Sequence, residues 1–443
     1  VRAKAYPKYK DSGVEWLGQI PAHWEAKRLK DAGMLMAGSG FPHEYQGVQG
    51  EVLQFYKVGD LVASSDGIRM HGGLNSVSRE TAAELRASVI PAGSLLWAKI
   101  GAALFLNRRR ITTRPCCIDN NLTAFVPNCD RISTNWAFYW TSTLDFGELA
   151  NPGAVPSLSE GYQSTLPLVV PPESEQKAIA GFLDRETAKI DALVEKKERL
   201  IELLQEKRTA LITHAVTKGL DPNVPMKDSR IEWLGQIPAH WDVRKWRYCC
   251  RITEGQVPPD DERYRDRVLI APNHVESGTG KITLLETADE QGAISGKYLV
   301  SPGDIIYSKI RPALNKACIA SGDWLCSADM YPVRIIDRNL KQRFLLYFIL
   351  SEAFVRLMVD ESMRVAMPKV NREKLSAAPV LIPGEDEQNA IVRHLDRETA
   401  KIDALIAKIA EAIERLKEYR TALISAAVTG KIDVRGVVLE GEG

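Results

Sequence analysis

Positively charged and aromatic side chains interleave in two separate stretches of this chain. The first holds Tyr56, Lys57, Arg69, Lys99 and the run Arg108, Arg109 and Arg110. The second holds Arg263, Arg265, Arg267, Lys309, Arg311 and Lys316. Lys and Arg on loops beside strands suit contact with phosphate oxygens, and guanidinium groups can also read base edges in a groove. Any one of these residues alone would be ordinary surface charge. Two sets in matching halves favour contact with double-stranded DNA.

Residues that could carry out a reaction are harder to find. Ser277-Gly278-Thr279-Gly280-Lys281-Ile282 looks at first like a phosphate loop. It lacks the leading glycine, since position 275 is Val, and it lacks a hydroxyl residue after Lys281. Gly38-Ser39-Gly40 is half of a methyl-donor loop at most, with no acidic strand before it. The Asn-Pro-Pro and Asp-Pro-Pro aromatic motifs of amino-methylating enzymes do not occur. The histidines show no paired metal spacing. Asp260-Asp261-Glu262 reads as a solvated loop beside Arg263, Arg265 and Arg267. No catalytic residue, no metal site and no cofactor bound by this chain are expected.

Composition narrows the partners. Over 443 residues the formal net charge is only +1, so no global basic field attracts nucleic acid, and any such contact must come from local clusters. The seven cysteines include the adjacent pairs Cys116-Cys117 and Cys249-Cys250, unlike any zinc-ligand spacing. Reduced thiols inside a cell are the simplest reading. No apolar run approaches a membrane span and no signal peptide is visible, so a cytoplasmic location and no membrane partner are expected.

The elements that must position the basic clusters are dominated by a repeat. LDRETAKIDAL occurs at 183–193 and again at 395–405, each time inside a long helical pattern that ends in RTALI. Apolar residues recur every seven positions. The expected seam is Leu183, Ile190, Leu193, Leu200, Leu204 and Leu211 in the first copy. In the second it is Leu395, Ile402, Leu405, Ile409, Leu416 and Leu423. Ser174 and Asp386 are placed to cap the helix starts, Glu175 and Glu387 suit the positive ends of the dipoles, and Gly219 and Gly430 stop the helices. Each helix is roughly 60 Å long at 1.5 Å per residue, too long for one small domain to cover. The natural partner of each copy is the other. Off the seam, Lys196, Glu198, Lys207 and Arg208 are candidates for docking a further partner.

A second repeat opens each half: WLGQIPAHW at 16–24 and at 233–241. It reads as an aromatic clasp, with His23 and His240 part of it rather than metal ligands. Strands are expected at Val52–Val58, Ser94–Ile100 and Asp304–Ile310, and before each long helix in LPLVVPP (166–172) and APVLIPG (378–384). Helices are expected from Asn135 to Phe146 and from Leu340 to Met358. Residues 38–88 and 253–298 share little, so a common frame carries two different surfaces. Mixed strands and helices without regular alternation make each globular part α+β.

Together these features resemble the specificity subunit of type I restriction–modification systems. The resemblance rests on the two WLGQIPAHW stretches, the Gly303-Asp304 to Lys309 segment, the PxxxEQ helix starts and the LDRETAKIDAL helices, and it covers essentially the whole chain. It implies an internal pseudo-twofold repeat. Residues 1–172 and 221–384 would be two mixed α/β target-recognition domains. Residues 173–220 and 385–443 would be long spacer helices, the second with a C-terminal tail, paired as an antiparallel two-helix coiled coil. Each recognition domain would read one half of a bipartite, asymmetric DNA site. The chain itself would be non-catalytic. Its partners would be two methylation subunits using S-adenosylmethionine and restriction subunits using ATP and Mg, in a prokaryotic cytoplasm. The competing reading is a coiled-coil structural adaptor without DNA contact, which accounts for the helices but not for two divergent basic middles in repeated frames.

Overall fold

The computed structural model describes residues 4–62, 64, 66–362 and 368–436. The expected C-terminal tail beyond 436 lies outside the described residues. The chain packs as two compact units. The first runs to Lys196 and takes in the chain from Ala412 onward; the second is Lys197–Glu411. Packing thus divides the chain within the long helices Glu173–Lys218 and Glu385–Val428, not at their ends.

In the first unit a five-stranded sheet has the order Gly33–Ala37, Leu122–Pro127, Leu95–Ala98, Arg109–Thr112, Arg69–Met70. A second sheet joins Cys116–Ile118, Leu53–Tyr56 and Ser76–Val77, the first two parallel. The second unit repeats the plan. Its sheet runs Cys250–Ile252, Met330–Ile335, Ile305–Ser308, Ala317–Ile319, and a parallel pair joins Leu269–Ile270 to Trp324–Cys326. The central strand of each unit serves two cores, because successive side chains leave a strand on opposite faces. Leu95 and Trp97 enter one cluster and Leu96 and Ala98 another. Ile305 and Tyr307 likewise part from Ile306.

Strands form where the apolar runs place them, shortened at both ends to Leu53–Tyr56, Leu95–Ala98 and Ile305–Ser308. The two intermediate helices differ from expectation. The first stops at Thr141, after Thr134–Thr141, and a separate turn Phe146–Leu149 follows under an Asp145 cap. The second breaks at Ser351 into Gln342–Leu350 and Glu352–Ser362. The Ser351 hydroxyl donates to Phe348 O at 2.6 Å and accepts from Phe354 N at 3.3 Å, so it closes one helix and opens the next.

Ser174 and Asp386 are not caps. The helices already begin at Glu173 and Glu385, which puts both residues in the first turn. The following Glu-Gln pair does the anchoring. Gln176 Oε1 accepts from Ser133 N at 2.8 Å, and its Nε2 donates to Arg131 O at 3.1 Å and Pro171 O at 2.9 Å. Gln388 repeats all three bonds with Lys341 N, Asn339 O and Pro383 O at 2.8, 2.6 and 2.8 Å. Glu175 takes His23 Nε2 at 2.8 Å and the Tyr6 hydroxyl at 2.5 Å. Glu387 takes His240 Nε2 at 2.8 Å and Trp241 Nε1 at 2.9 Å. The WLGQIPAHW clasp and the helix start are therefore one joint, with Trp24 and Trp241 wholly buried in it.

That joint also holds the end of the other long helix. In the first unit Gly430, at φ +73°, lies where an added Cβ would meet Pro21 at 2.3 Å. In the second unit a Cβ on Gly219, at φ +79°, would meet Glu387 at 3.1 Å and Trp241 at 3.4 Å. Both glycines are required, by left-handed backbone and by close approach. Within each unit the start of one long helix thus lies beside the end of the other. The two run antiparallel there, as the Asp191–Arg420 and Asp403–Arg208 pairs also require.

Leu183, Ile190, Leu204, Leu395, Ile402, Ile409 and Leu423 are buried, and Leu211 and Leu416 half-buried. Leu193, Leu200 and Leu405 are 43, 43 and 45 % exposed and stand outside the seam. The second contact row lies one residue further on, at Thr187, Val194, Ile201, Arg208 and Ala215, and at Thr399, Ile406, Ile413, Arg420 and Ala427. Polar members disguised this row in the sequence. Each is satisfied in place: Thr187 and Thr399 hydroxyls donate to Leu183 O and Leu395 O, both at 2.7 Å, and the arginines meet aspartates.

Candidate nucleic-acid interface

The basic residues singled out by the sequence separate into interior braces, neutralised surface charges and free cations. Tyr56 and Arg109 are interior. Tyr56, at the end of its strand, is fully buried, and burial pushes its phenol up to about 12. Arg109 is 4 % exposed. Its guanidinium lies 3.9 Å from the centroid of the Phe146 ring and donates to Asn107 O at 2.6 Å and to Leu144 O. Burial lowers its pKa, with Asp145 opposing the effect. It ties the turn before its own strand to the segment after Thr134–Thr141 and cannot reach a duplex.

Several others are already engaged. Arg69 meets Asp66 at 3.2 Å, Lys99 meets Glu160 at 3.1 Å, and Arg265 meets Asp289 at 3.2 Å. Arg263 is held by Asp261 through two bonds at 2.9 and 2.7 Å, which draws the Asp261 carboxyl down to about 2. Arg263 and Arg267 flank the Tyr264 ring at 5.2 and 5.3 Å. The exposed pairs of Arg69, Arg263 and Arg265 hold weakly, about 0–1 kcal/mol, so a phosphate can replace the acid there, whereas Lys99 is largely covered. Lys57 donates to Gln46 Oε1 at 3.0 Å, Lys316 to Pro272 O at 2.6 Å, and Arg110 to Arg109 O at 2.7 Å. Burial, then the neighbouring Arg108, lower the pKa of Arg110.

Arg108, Lys309 and Arg311 form no ion pair with the described residues. Arg108 follows a turn, Ala102–Leu106, whose tip exposes Phe105 and Leu106. Arg311 has left-handed backbone at φ +47° and is exposed. Lys309 lies 5.4 Å from the centroid of the Tyr331 ring, and Arg372 lies 5.7 Å from the same ring. Arg372 and its neighbour Lys369 escaped the sequence reading because they sit beyond the recognised motifs, on a segment that meets the strand end only through the fold. The bridge Ile310–Lys369 brings them together.

The loops that suggested other chemistry have structural roles. The Gly278–Lys281 loop is strapped to the long helices. Arg208 Nη1 donates to Gly278 O at 2.5 Å, its Nη2 to Thr279 O at 3.3 Å, and Lys281 meets Asp403 at 2.6 Å. Arg208 is thereby buried and withdrawn from the candidates for partner docking. Gly38 lies against Asp119, where a Cβ would fall 1.8 Å from the carbonyl oxygen. Among the described residues no group of three His, Cys, Asp or Glu could hold a metal, and no helix is long and apolar enough to cross a membrane.

Comparison with known proteins bears on this frame. A family model described as type I restriction modification DNA specificity domain matches residues 249–415. The EcoDI specificity subunit of the type I restriction enzyme from Escherichia coli is 30 % identical over 312 residues, which are 66 % of this chain and 69 % of that protein. This chain belongs to the type I restriction enzyme specificity subunits. The MjaIX specificity subunit of Methanocaldococcus jannaschii is 20 % identical over 94 % of this chain and 95 % of its own length. A solved chain from work on complex assembly and conformational transition of a type I R-M system shares the fold. Its TM-score is 0.64 at 16 % identity, covering 95 % of this chain and 99 % of that one. The chain is mixed helix and sheet with two long helices.

Proposed function

We propose that this specificity subunit is the non-catalytic DNA-reading component of a type I restriction–modification complex. Each globular unit reads one half of a bipartite, asymmetric site. The observation that carries this is a shared sheet order beneath unlike surfaces. The strand order of the main sheet and the parallel pair recur in both units, while the segments crossing them, 38–88 and 253–298, differ in sequence and in strands. One frame carrying two surfaces suits two different half-sites.

The long helices set the number of unread base pairs and dock the methylation subunits. Leu193, Leu200, Leu203, Leu405 and Tyr419 support the docking role, since all are more than two-fifths exposed on helices that already bury another face. Apolar side chains grouped on a surface mark a place for a protein partner. The methylation subunits would supply S-adenosylmethionine chemistry and the restriction subunits ATP-driven cleavage, in a cytoplasmic complex.

Methylome sequencing of a strain carrying the complete system, with and without this chain, tests the proposal. Adenine methylation at a two-part motif should vanish without it. Exchanging residues 25–165 for those of another specificity subunit should change one half of the motif and leave the other intact. Seven residues inserted into both long helices should change the gap alone. A motif altered in both halves by the single exchange contradicts modular reading.

A further inference from the structure

We infer that the second unit grips the DNA backbone through a phosphate site made by Lys309, Arg311, Lys369 and Arg372, whose counterpart in the first unit is cancelled by its own glutamate. This rests on the DNA-reading role proposed above and deepens it.

The two places share one backbone frame. In the first unit Gly101 N donates to Pro156 O at 2.8 Å, Leu158 N donates to Lys99 O at 2.8 Å, and Ser159 caps the next helix. In the second unit Arg311 N donates to Pro368 O at 3.0 Å, Val370 N donates to Lys309 O at 2.8 Å, and Asn371 caps the next helix. Bridges Ile100–Ser157 and Ile310–Lys369 complete the match. Position by position, Lys99 corresponds to Lys309, Gly101 to Arg311, Ser157 to Lys369 and Glu160 to Arg372.

The side chains on that frame are opposite in charge. The first unit sets one lysine against one glutamate, and the two meet at 3.1 Å with the lysine largely covered. The second unit carries two lysines and two arginines at the same four backbone positions. Lys309 and Arg372 face the ring of Tyr331, whose hydroxyl donates to Val370 O at 3.1 Å. Among the described residues the acid that pairs with this group is Glu254, which meets Arg372 at 2.5 Å and is itself 81 % exposed. Two cations over one ring, with Arg311 and Lys369 close by in the backbone frame, repel one another unless an anion joins them. The anion that fits a row of Lys and Arg at a strand end is the backbone phosphate of a duplex.

Each phosphate contact releases counterions, so the dependence of binding on salt counts the contacts. The test is fluorescence anisotropy of the full-length chain with a short duplex of random sequence over a series of NaCl concentrations, since phosphate contact does not depend on sequence. Lys309→Gln and Lys369→Gln should each reduce the slope of log K against log [salt] by about one, and Lys309→Arg should restore it. Lys99→Gln should leave the slope unchanged. Glu160→Gln should steepen it by up to about one, because it frees Lys99. If the unmodified chain binds with a salt slope that Lys309→Gln and Lys369→Gln leave intact, the phosphate site is refuted and the DNA-reading role stands. If the unmodified chain shows no salt-dependent binding at all, both fall together.

Discussion

Arg208 of the first long helix meets Asp403 of the second at 3.2 Å, with the arginine side chain 7 % exposed. The sequence-equivalent pair, Asp191 and Arg420, meets at 2.9 Å with both groups in reach of water. The same two motif residues, the Asp of LDRETAKIDAL and the Arg of RTAL, thus do unequal work in the two units. Arg208 also carries the Gly278–Lys281 loop, so its loss unpairs two carbonyls and leaves Asp403, 19 % exposed, to Lys281 alone.

Replacing it should show that difference. Arg208→Met should destabilise the second unit by about 2 kcal/mol, in the range for leaving buried hydrogen-bonding groups unpaired. Asp191→Asn should cost the first unit less than about 1 kcal/mol. Denaturant midpoints for the two variants check this, and equal shifts would contradict the assignment.

The glutamine joint makes a sharper claim. Gln388→Ala removes the acceptor for Lys341 N and the donor for Asn339 O and Pro383 O in a fully buried place. An unsatisfied buried polar group costs about 1–3 kcal/mol. The variant should therefore lower the melting temperature and speed hydrogen exchange at 339–341. Gln176→Ala should do the same at 131–133. Unchanged exchange at these backbone positions would show that the joint is held by something else.

Thiol chemistry reads the cores directly. Cys116, Cys117, Cys249, Cys250, Cys318 and Cys326 are buried and Cys129 is exposed. A thiol reagent near neutral pH should modify Cys129 in the native chain and reach the others only in denaturant. Burial pushes Cys117 and Cys249 up to about 11 from an ordinary value near 9. The folded state then holds these protons more tightly than the unfolded chain. Their contribution to stability is complete below about pH 9 and is lost as pH rises towards about 11. Denaturation midpoints measured across that interval should fall, and Cys117→Ser with Cys249→Ser should make the fall shallower, the four other buried thiols retaining the rest. A flat profile in the unmodified chain would tell against buried thiols.

Partner docking can be separated from folding. Leu200→Asp and Leu405→Asp alter side chains that contribute little to the fold, so stability should change by no more than about 0.5 kcal/mol. Co-purification of the methylation subunit should be lost. A variant that still binds its partner would free this face from that role.

Much of the architecture was legible in the residues, and the failures share a cause. The long helices, the paired clasps and the strand before each helix all announce themselves through repetition and period. The second seam row did not, because Thr187 and Arg208 look like surface residues until Leu183 O and Asp403 are seen beside them. Leu193 and Leu200 drew the eye to the wrong side of the helix. The basic clusters misled in the same way. Arg109 looks free in the run Arg108-Arg109-Arg110, yet alternation along a strand sends it inward onto Phe146. Lys369 was invisible because its neighbour in space, Ile310, lies far away in sequence. A linear pattern reports what a side chain is, and only the fold reports what stands opposite it.

Gln176 and Gln388 touch their globular units through main-chain groups alone. Main-chain groups are common to every sequence, so whatever turn presents them in the right place can be seated there. At those two contacts a different turn can be seated with no change in the glutamine, whereas the Glu175–His23 and Glu387–His240 bonds ask for a particular side chain. Exchange of a globular unit is thus constrained at the histidine and free at the glutamine.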